Sequence, residues 1–581
     1  MSAKKDRPSP RQRPPRRRER ELRAPHKRAT HPLFVRLFSL RFLRQLPLPL
    51  GPSGQPSRFA PSHFRSWYRP VGKKRRARFW ARALGDPRRR PSWFELALYL
   101  VDCSPLRALL EPLLGERGEK PFDPLSLLLV CLWKIQSAQT WAAVASVLAD
   151  PQRGAAWRTL FGFLLHDTPA ESTLRAFRDR LPDELLNQVQ QLFLQALYQA
   201  GLLPPSDPHG YIVTGDGQLH AARSVHRCHH ALPACYQAVS PGQKRFCPAL
   251  VETAGRYGCA CDTPACQRRC ALAPHWDRQA GFVVYTSKHR NEQGQTVKRI
   301  DRAVFGYRSA ASRLVDERFH HAWTARTDLY AAPTDEGRTF PAHFAATYAS
   351  LPEQRVAYAL YDSACGEQPC LDAVYDVGGI PLFDVQADPS DNDAALRRAR
   401  RYDEHGHPLC PQGHPLTFQG LDRRPQPRAR WVCAHACRQS PQGEVPECPW
   451  LQKKRGFYFY LTRHFRDGSY RLARLVPYDT PLWHKRTGWR NVSEGRNSVM
   501  ERLGLKRLPD YGLRHAAFLV SGADVVENLA TLARLVFEAT GLDEGFVVRE
   551  EQEPWPRPST EQEPGLETVV RLAEQEKSTL A

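Results

Sequence analysis

Three acidic residues, far apart in the chain, each stand in a local sequence suited to metal-dependent cutting of DNA. Asp216 and Asp362 each end a short run of β-branched and aromatic residues that is typical of a strand, and Glu494 lies in the first turn of an expected helix. These carboxylates meet only if the intervening chain folds back on itself. The pattern therefore predicts two strand ends and one helix that converge on a mixed α/β sheet.

Each acid also has an ordinary structural explanation. An aspartate at a strand end is often a turn residue, and a glutamate in the first turn of a helix compensates the helix dipole. Glu501 lies two turns beyond Glu494 on nearly the same helix face, and it is the alternative third acid. Asp376 and Asp384 are the alternatives to Asp362.

The elements that must position these acids are predicted from hydrophobic periodicity. Residues 93–205 have a helical pattern, and residues 206–545 have a strand-rich pattern with helices between and after the strands. The expected strands begin near Tyr211, Gly281, Arg302, Arg355 and Gly379. This order predicts an α/β fold with flanking helices, preceded by an all-helical domain. That helical domain would recognise DNA ends as a helix-turn-helix-like unit, or it would serve as a dimerisation or packing module.

The positive charge is concentrated near the N-terminus. The chain of 581 residues has a net charge of +24, and residues 1–92 contain 27 Lys and Arg against 4 Asp and Glu. A proline-rich segment of this composition buries little apolar surface, so residues 1–92 are predicted to be a disordered tail that binds phosphate without reading sequence. The alternative is that this segment is translated from noncoding GC-rich DNA, which encodes a similar composition, and has no function. Residues 546–581 are predicted to be an acidic, disordered tail.

No segment is predicted to cross a membrane. The apolar run Leu125–Trp133 ends at Lys134 and is far shorter than the roughly 20 residues that a spanning helix needs. The N-terminus also lacks the apolar stretch of a secretory signal. A cytoplasmic protein is therefore expected, and in that compartment 15 cysteines indicate metal binding rather than disulfides.

Two inserts rich in Cys and His, at about 222–280 and 400–450, interrupt the strand-rich region. The second insert contains four thiols that suit a closed, structural zinc site, with His414 as an alternative ligand. These thiols are Cys410, Cys433, Cys437 and Cys448. The candidate zinc ligands of the first insert are Cys259, Cys261, Cys266 and Cys270, with Cys247 and His275 nearby. The alternative is that the cysteines are small buried apolar residues.

The order and spacing of these motifs resemble the DDE transposases of bacterial insertion sequences, within the RNase H-like, retroviral-integrase superfamily. The resemblance covers about residues 93–540. It includes the Asp216-Gly motif, the Phe305-Gly-Tyr-Arg motif, and the arginine four residues before Glu494. The resemblance implies an RNase H-like sheet and an enzyme that hydrolyses phosphodiesters and transfers DNA strands.

The same resemblance implies roles for particular residues. Asp216, Asp362 and Glu494 would hold two Mg²⁺ or Mn²⁺ ions, with Asp216 bridging them. Residues on or just after the Glu494 helix would contact the DNA backbone: Arg490, Arg496, Asn497 and Lys506. The substrate would be double-stranded DNA with terminal inverted repeats, and the protein would act as a homodimer or larger assembly at the bacterial nucleoid.

Two positions differ from the pattern common in these transposases. Thr487 stands where a tyrosine is frequent, and Glu501 stands where a lysine is frequent, so Lys506 would have to take the role of that lysine. The differences leave two alternatives to a transposase. One is a catalytically decayed or domesticated zinc-containing DNA-binding protein, and the other is a metal-dependent nuclease without strand transfer.

Overall fold

The computed structural model describes most of the chain between residues 32 and 541. The described residues are 32–38, 44–51, 54–85, 91–114, 120–223, 250–253, 256–259, 277, 279–290, 296–383, 398, 401–423, 428–433, 458–462, 474–478 and 480–541. The predicted acidic tail, most of the first Cys-rich insert and part of the second lie outside these residues.

The helices in the described part of the chain are α1 (Pro32–Phe38), α2 (Lys73–Gly85), α3 (Trp93–Leu100), α4 (Arg107–Leu110), α5 (Pro124–Gln136), α6 (Trp141–Ala149), α7 (Ala155–Phe161), α8 (Glu171–Arg180), α9 (Leu185–Gln199), α10 (Glu336–Ser350), α11 (Gln368–Asp376), α12 (Pro481–Thr487), α13 (Asn491–Arg502) and α14 (Leu513–Gly541). The strands are β1 (Leu46–Pro47), β2 (Val101–Asp102), β3 (Tyr211–Ala221), β4 (Leu250–Thr253), β5 (Arg256–Cys259), β6 (Gly281–Arg290), β7 (Thr296–Asp316), β8 (His321–Ala331), β9 (Val356–Leu360), β10 (Ile380–Pro381), β11 (Thr417–Asp422), β12 (Arg428–Val432) and β13 (Tyr458–Thr462).

The main sheet is mixed and has the order β10-β9-β3-β7-β6, with β8 also paired to β7. Strand β3 runs antiparallel to β7, and β7 runs antiparallel to both β8 and β6. On its other side β3 pairs in parallel with β9, which in turn pairs in parallel with β10. Helix α10 connects β8 to β9, and α11 connects β9 to β10. The predicted mixed α/β fold with flanking helices is therefore confirmed at this level.

Within the main sheet, the strands after β3 differ from the predicted ones in one respect. The runs near Gly281 and Arg302 form β6 and part of β7, as expected, but the sequence pattern missed β8. Strand β8 contains the charged residues Arg326 and Asp328, which are unusual in a partly buried strand. They form an ion pair of 2.9 Å with each other, so that their charges are compensated within the sheet.

The predicted disorder of residues 1–92 is wrong for α1 and α2. Phe34, Phe38 and Trp80 are each only 1% exposed and belong to the same hydrophobic core as the later helices. Their apolar area favours order even though arginines surround them in the sequence. The remaining described residues between α1 and α3 also run over folded parts of the protein: the backbone amide of Tyr68 donates to buried Asp123 at 2.9 Å.

Helix α14 forms the centre of the core. It packs against α3, α5 and α9 from the front of the chain and against β8 of the sheet. Within the described residues, no other single helix is long and apolar enough to span a bilayer. The segment of α14 that meets this test is Leu513–Ala539. Most of this segment is buried inside the protein, so its apolar residues are explained by packing in the core.

A buried histidine joins β3 to the loop after α13. His220 lies on β3, and its Nδ1 is 2.9 Å from the carbonyl oxygen of Leu505, to which it donates. Its Nε2 is 2.9 Å from Ser309 Oγ on β7 and accepts the hydroxyl proton. Burial lowers the pKa of His220 to about 4, although the Leu505 carbonyl opposes this shift. The imidazole is therefore neutral in the folded protein at pH 7.

This depressed pKa predicts a loss of stability in mild acid. Between the ordinary histidine pKa of 6.5 and the folded value of about 4, the unfolded chain binds a proton that the folded chain excludes. Lowering the pH from about 7 to about 5 should therefore cost the wild type about 2 kcal/mol more than it costs His220→Gln. Urea unfolding of both proteins at the two pH values measures this difference. Equal losses in the two proteins would contradict the prediction.

Candidate active site

The first candidate acid lies within a strand and not at its end. Strand β3 continues through Asp216 to Ala221, and Asp216 is paired in register with Ala311 of β7. The expectation of a strand end at Asp216 is therefore wrong, because the glycine-containing sequence after it still pairs with β7. Side chains alternate along a strand, so Asp216 and its two neighbouring glycines face opposite sides of the sheet.

The two glycines allow other elements to come unusually close to β3. A Cβ atom at Gly215 would lie 2.1 Å from the Tyr361 ring, and one at Gly217 would lie 2.5 Å from the Glu336 carboxylate. Any larger residue at either position would displace these side chains. The Gly-Asp-Gly sequence thus indicates that a side chain from another element packs against the strand at each of the two positions that flank Asp216.

The second candidate acid follows the strand that neighbours β3. Asp362 comes two residues after β9, and its Oδ1 accepts a hydrogen bond of 3.0 Å from the amide of Ala364. Because β3 and β9 are parallel, Asp216 and Asp362 lie toward the same edge of the sheet. They line one cleft, whose empty volume including open solvent is about 450 Å³. The structure therefore brings these two predicted site residues together.

The cleft also contains an ion pair that the sequence reasoning did not identify. Glu336, the first residue of α10, accepts a hydrogen bond of 2.6 Å from Arg308 Nη1 on β7. An acidic residue in the first turn of a helix usually compensates the dipole, so position alone gave no signal for Glu336. Arg308 belongs to the Phe305-Gly-Tyr-Arg motif, to which the sequence assigned no individual role.

The cleft concentrates negative charge. Burial raises the pKa of Asp216 and the charge of Asp362 raises it further, against the opposing hydrogen bond from Asn497 and the charge of Arg490. Burial likewise raises the pKa of Glu336, Arg308 opposes the shift, and both aspartates add to it. Such mutual repulsion between carboxylates is relieved by a bound cation.

Helix α13 lies against β3 on the face of the sheet to which the Asp216 side chain points. Asn497 Nδ2 donates to Asp216 Oδ2 at 3.0 Å, and the charge of Arg490 is close enough to lower the pKa of that carboxyl. Glu494 lies in the first turn of this helix, as predicted, on the face between Arg490 and Asn497. Its side chain is exposed and is not part of the cleft lining. Within the described residues, no group of three or more His, Cys, Asp or Glu side chains is arranged to hold a metal ion.

The predicted contact between Arg496 and DNA is wrong. It is 4% exposed, and its Nε and Nη2 each donate to a different carboxylate oxygen of Asp524 on α14 at 2.8 Å. Its Nη1 donates to Ser309 on β7 at 3.2 Å. A guanidinium held in this way has no surface to offer to DNA. Arg496 instead fixes α13 to the core, and the sequence gave no signal for its partner Asp524.

The remaining predicted acids and cations are spread over the surface. Lys506 is exposed and forms an ion pair with Glu501, so the alternative third acid is engaged away from the cleft. Asp376 is exposed at the end of α11, whereas Asp384 lies outside the described residues. The structure therefore favours Asp362 over Asp376 as the second acid.

The predicted zinc ligands are described only in part. Cys410 and Cys433 are 1% and 7% exposed, and the Sγ of Cys410 accepts from the amide of His414 at 3.3 Å. They lie beside the three-stranded antiparallel sheet β11-β12-β13. Cys437, Cys448, Cys261, Cys266 and Cys270 fall outside the described residues, as do Cys247 and His275, and of Cys259 only its place in β5 is described.

Comparison of the chain with protein-family models, with curated proteins and with solved structures finds no match.

The buried pair predicts a large difference between two arginines of α13. Replacing Arg496 by Met leaves Asp524 buried without its cation, which should lower the free energy of unfolding by about 3–5 kcal/mol. Arg502, whose side chain is 67% exposed where it pairs with Glu527, provides the control. Its replacement by Met should cost less than about 1 kcal/mol. Urea unfolding measures both effects, and similar losses for the two variants would show that the pair does not anchor the helix.

Proposed function

We propose that this protein is a DNA transposase of the insertion-sequence type, which cuts and rejoins DNA with Asp216, Asp362 and Glu494. The observation that carries the proposal is the meeting of Asp216 and Asp362 in one cleft, with α13 packed against Asp216 through Asn497. The face of α13 that makes this contact is the one that bears Glu494 and Arg490.

The strand order supports an RNase H-like fold. Three antiparallel strands (β3, β7 and β8) are followed by two strands parallel to the first (β9 and β10), with a helix before each of the last two. The resemblance to DDE transposases implies this type of mixed sheet. The first acid lies on the central strand and the second follows its parallel neighbour, so both come from rigid elements of the same sheet.

The chemistry follows from the side chains around the cleft. When bound, two divalent cations (Mg²⁺ or Mn²⁺) would activate the attacking water or 3′-hydroxyl and stabilise the leaving oxygen. Asp216 and Asp362 would supply oxygen ligands, which such hard cations prefer. Asn497 holds one oxygen of Asp216 in place. Arg490 would bind a phosphate of the scissile strand, and exposed Lys506 would contact the backbone nearby.

The third ligand has two candidates in this geometry. Glu494 is exposed on the face of α13 that contacts Asp216, so a change of its side-chain rotamer would redirect it without moving the helix. Glu336 is already in the cleft but is paired with Arg308. We retain Glu494 as the proposed ligand for two reasons. Within the described residues it forms no ion pair like that of Glu336, and the resemblance to DDE transposases implies this role for it.

The Cys-rich inserts would hold structural zinc outside the cleft. Cys410 and Cys433 are both buried, and their proposed partners Cys437 and Cys448 come from the segment that follows β12. A closed thiolate site would stabilise the small β11-β12-β13 sheet without touching substrate. The candidate site in the first insert, from Cys259 to Cys270, would have the same structural role. DNA would be bound by a homodimer or larger assembly, since two ends are cut together.

One observation favours a second candidate, a DNA-binding protein that has lost catalysis. Within the described residues the acids do not form a three-ligand metal group. A decayed enzyme would keep the fold and the two aspartates while binding DNA without cutting it. Metal-dependent cleavage of DNA that carries the flanking ends of the gene distinguishes these two candidates.

Replacing Asp216 by Asn should abolish Mg²⁺- or Mn²⁺-dependent cleavage of such DNA. The expected loss exceeds about a hundredfold, since even the outer partners of metal ligands contribute about 10–100-fold. Asp376→Asn is the matched control, because Asp376 is an exposed aspartate at the end of α11 and should be dispensable. Cleavage is measured as nicked and joined products on gels. Equal DNA binding by both variants with no cleavage by the wild type would favour the decayed protein.

The identity of the third acid is tested by Glu494→Gln and Glu336→Gln in the same assay. If Glu494 supplies the third ligand, its variant should lose cleavage about as severely as Asp216→Asn. The Glu336 variant should then lose much less, since it removes only the partner of Arg308. The opposite ranking would assign the third carboxylate to α10, and full activity of the Glu494 variant would contradict our assignment.

A further inference from the structure

A chain of four hydrogen-bonded side chains, of which His343 and Tyr361 line the cleft, is not part of the proposed chemistry. His343 of α10 connects two strands: its Nδ1 is 2.6 Å from Asp328 Oδ2 on β8, and its Nε2 is 2.7 Å from Ser312 Oγ on β7. Ser312 Oγ is also 2.6 Å from the hydroxyl of Tyr361, the residue before Asp362. The chain thus runs from strand β8 to the residue before the second candidate acid.

The carboxylate at one end sets the direction of the first of these hydrogen bonds. Burial raises the pKa of Asp328, but hydrogen bonds from His343 and Arg326 outweigh this effect and lower it, so the carboxylate is ionised. His343 therefore donates from Nδ1. Its Nε2 is hydrogen-bonded to Ser312 Oγ, which is hydrogen-bonded in turn to the Tyr361 hydroxyl. Each of the four side chains is thus held by its neighbours in the chain.

The order Asp–His–Ser is also that of a nucleophilic triad, but burial excludes this role. Ser312 is fully buried and its Oγ is occupied by both His343 and Tyr361. A substrate carbonyl or phosphate would have no approach to it. The chain is more simply explained by what it holds in place, which is the ring of Tyr361.

The Tyr361 ring makes the close contact that joins the two candidate acids. It packs on Gly215, where an added Cβ would lie 2.1 Å from the ring, and it is enclosed by Phe340, Phe344 and Phe383. Gly215 immediately precedes Asp216, and Tyr361 immediately precedes Asp362. How closely this ring approaches β3 therefore bears on the separation of the two carboxylates, together with the parallel pairing of Thr214 with Leu360.

We propose that His343 is a positioning residue, which acts through Ser312 and Tyr361 to fix the spacing between Asp216 and Asp362. This inference rests on the proposed function, in which the two carboxylates share bound cations. Loss of the chain would let the ring move away from Gly215 and would carry Asp362 with it. The carboxylates would then bind a shared cation less tightly while the rest of the protein stays folded.

The test compares three variants of the full-length protein: His343→Ala, Ser312→Ala and the control Thr347→Ala. Thr347 is buried one turn beyond His343 on α10, and its hydroxyl donates to the backbone carbonyl of His343 at 2.9 Å, outside the chain. Titration with Mn²⁺ in the absence of DNA should give about tenfold weaker affinity for the first two variants. Thr347→Ala should keep the wild-type affinity for Mn²⁺ even if its melting temperature falls as much as those of the other two variants. Ser312→Ala leaves the His343–Asp328 contact intact and serves if His343→Ala does not fold.

Gly215→Ala provides an independent approach, because its methyl group would press on the Tyr361 ring and on the Ala311 carbonyl while every side chain of the hydrogen-bonded chain is kept. It should weaken Mn²⁺ binding as His343→Ala does. Equal affinities for Ser312→Ala and the wild type would overturn the inference.

Crystal structures of the metal-free wild type and Ser312→Ala separate this inference from the proposed function. An increased distance between the two carboxylates supports positioning by the chain, and an unchanged distance overturns it, whatever the protein does to DNA. A wild type that neither binds Mn²⁺ nor cuts DNA would contradict the proposed function instead.

Discussion

The arrangement of the candidate site depends on the buried ion pair between Arg496 and Asp524. Both oxygens of Asp524 are used by Arg496, and Thr324 and Thr327 of β8 donate to them as well, at 3.4 and 2.7 Å. The pair therefore joins α13, α14 and the sheet at one point. Two buried charges are tolerated only when their hydrogen bonds are satisfied, so this geometry permits little variation. Asn497 follows Arg496 on α13. It can hydrogen-bond to Asp216 because the Arg496–Asp524 pair fixes how closely α13 packs on the sheet and how the helix is turned about its axis.

The glycines on either side of Asp216 allow side chains from other elements to pack closely against β3. Gly215 admits an aromatic ring and Gly217 admits a carboxylate, each at a distance that no other residue would allow. The cleft is consequently narrow, anionic and lined by side chains from the sheet and α10. Arg308 balances part of this charge through Glu336. Negative charge is thus gathered by elements that are rigid in themselves, and the local repulsion is opposed by the packing of the whole sheet.

The sequence predicted the parts of this protein that follow from local pattern. The strand character of β3 and β9 and the place of Glu494 in the first turn of α13 follow from periodicity and end signals, and both are confirmed. It failed where a distant partner decides the outcome. Arg496 reads as a surface cation until Asp524, 28 residues later, is packed against it. Strand β8 was missed because its charges find partners only in the folded sheet. Helix α1 was missed because its apolar residues pack against Phe319 and α14, which lie hundreds of positions away.

The position of α14 has a consequence for how the chain folds during synthesis. This helix begins at Leu513, near the end of the described chain, yet it packs against α1, α3, α5 and α9, which the ribosome produces first. The front helices must therefore wait, with their apolar faces uncovered, until more than 300 further residues have been made. Contacts of such long sequence separation slow folding and expose intermediates to aggregation. The nascent chain of this protein should accordingly depend on chaperones more than its individual short helices would suggest.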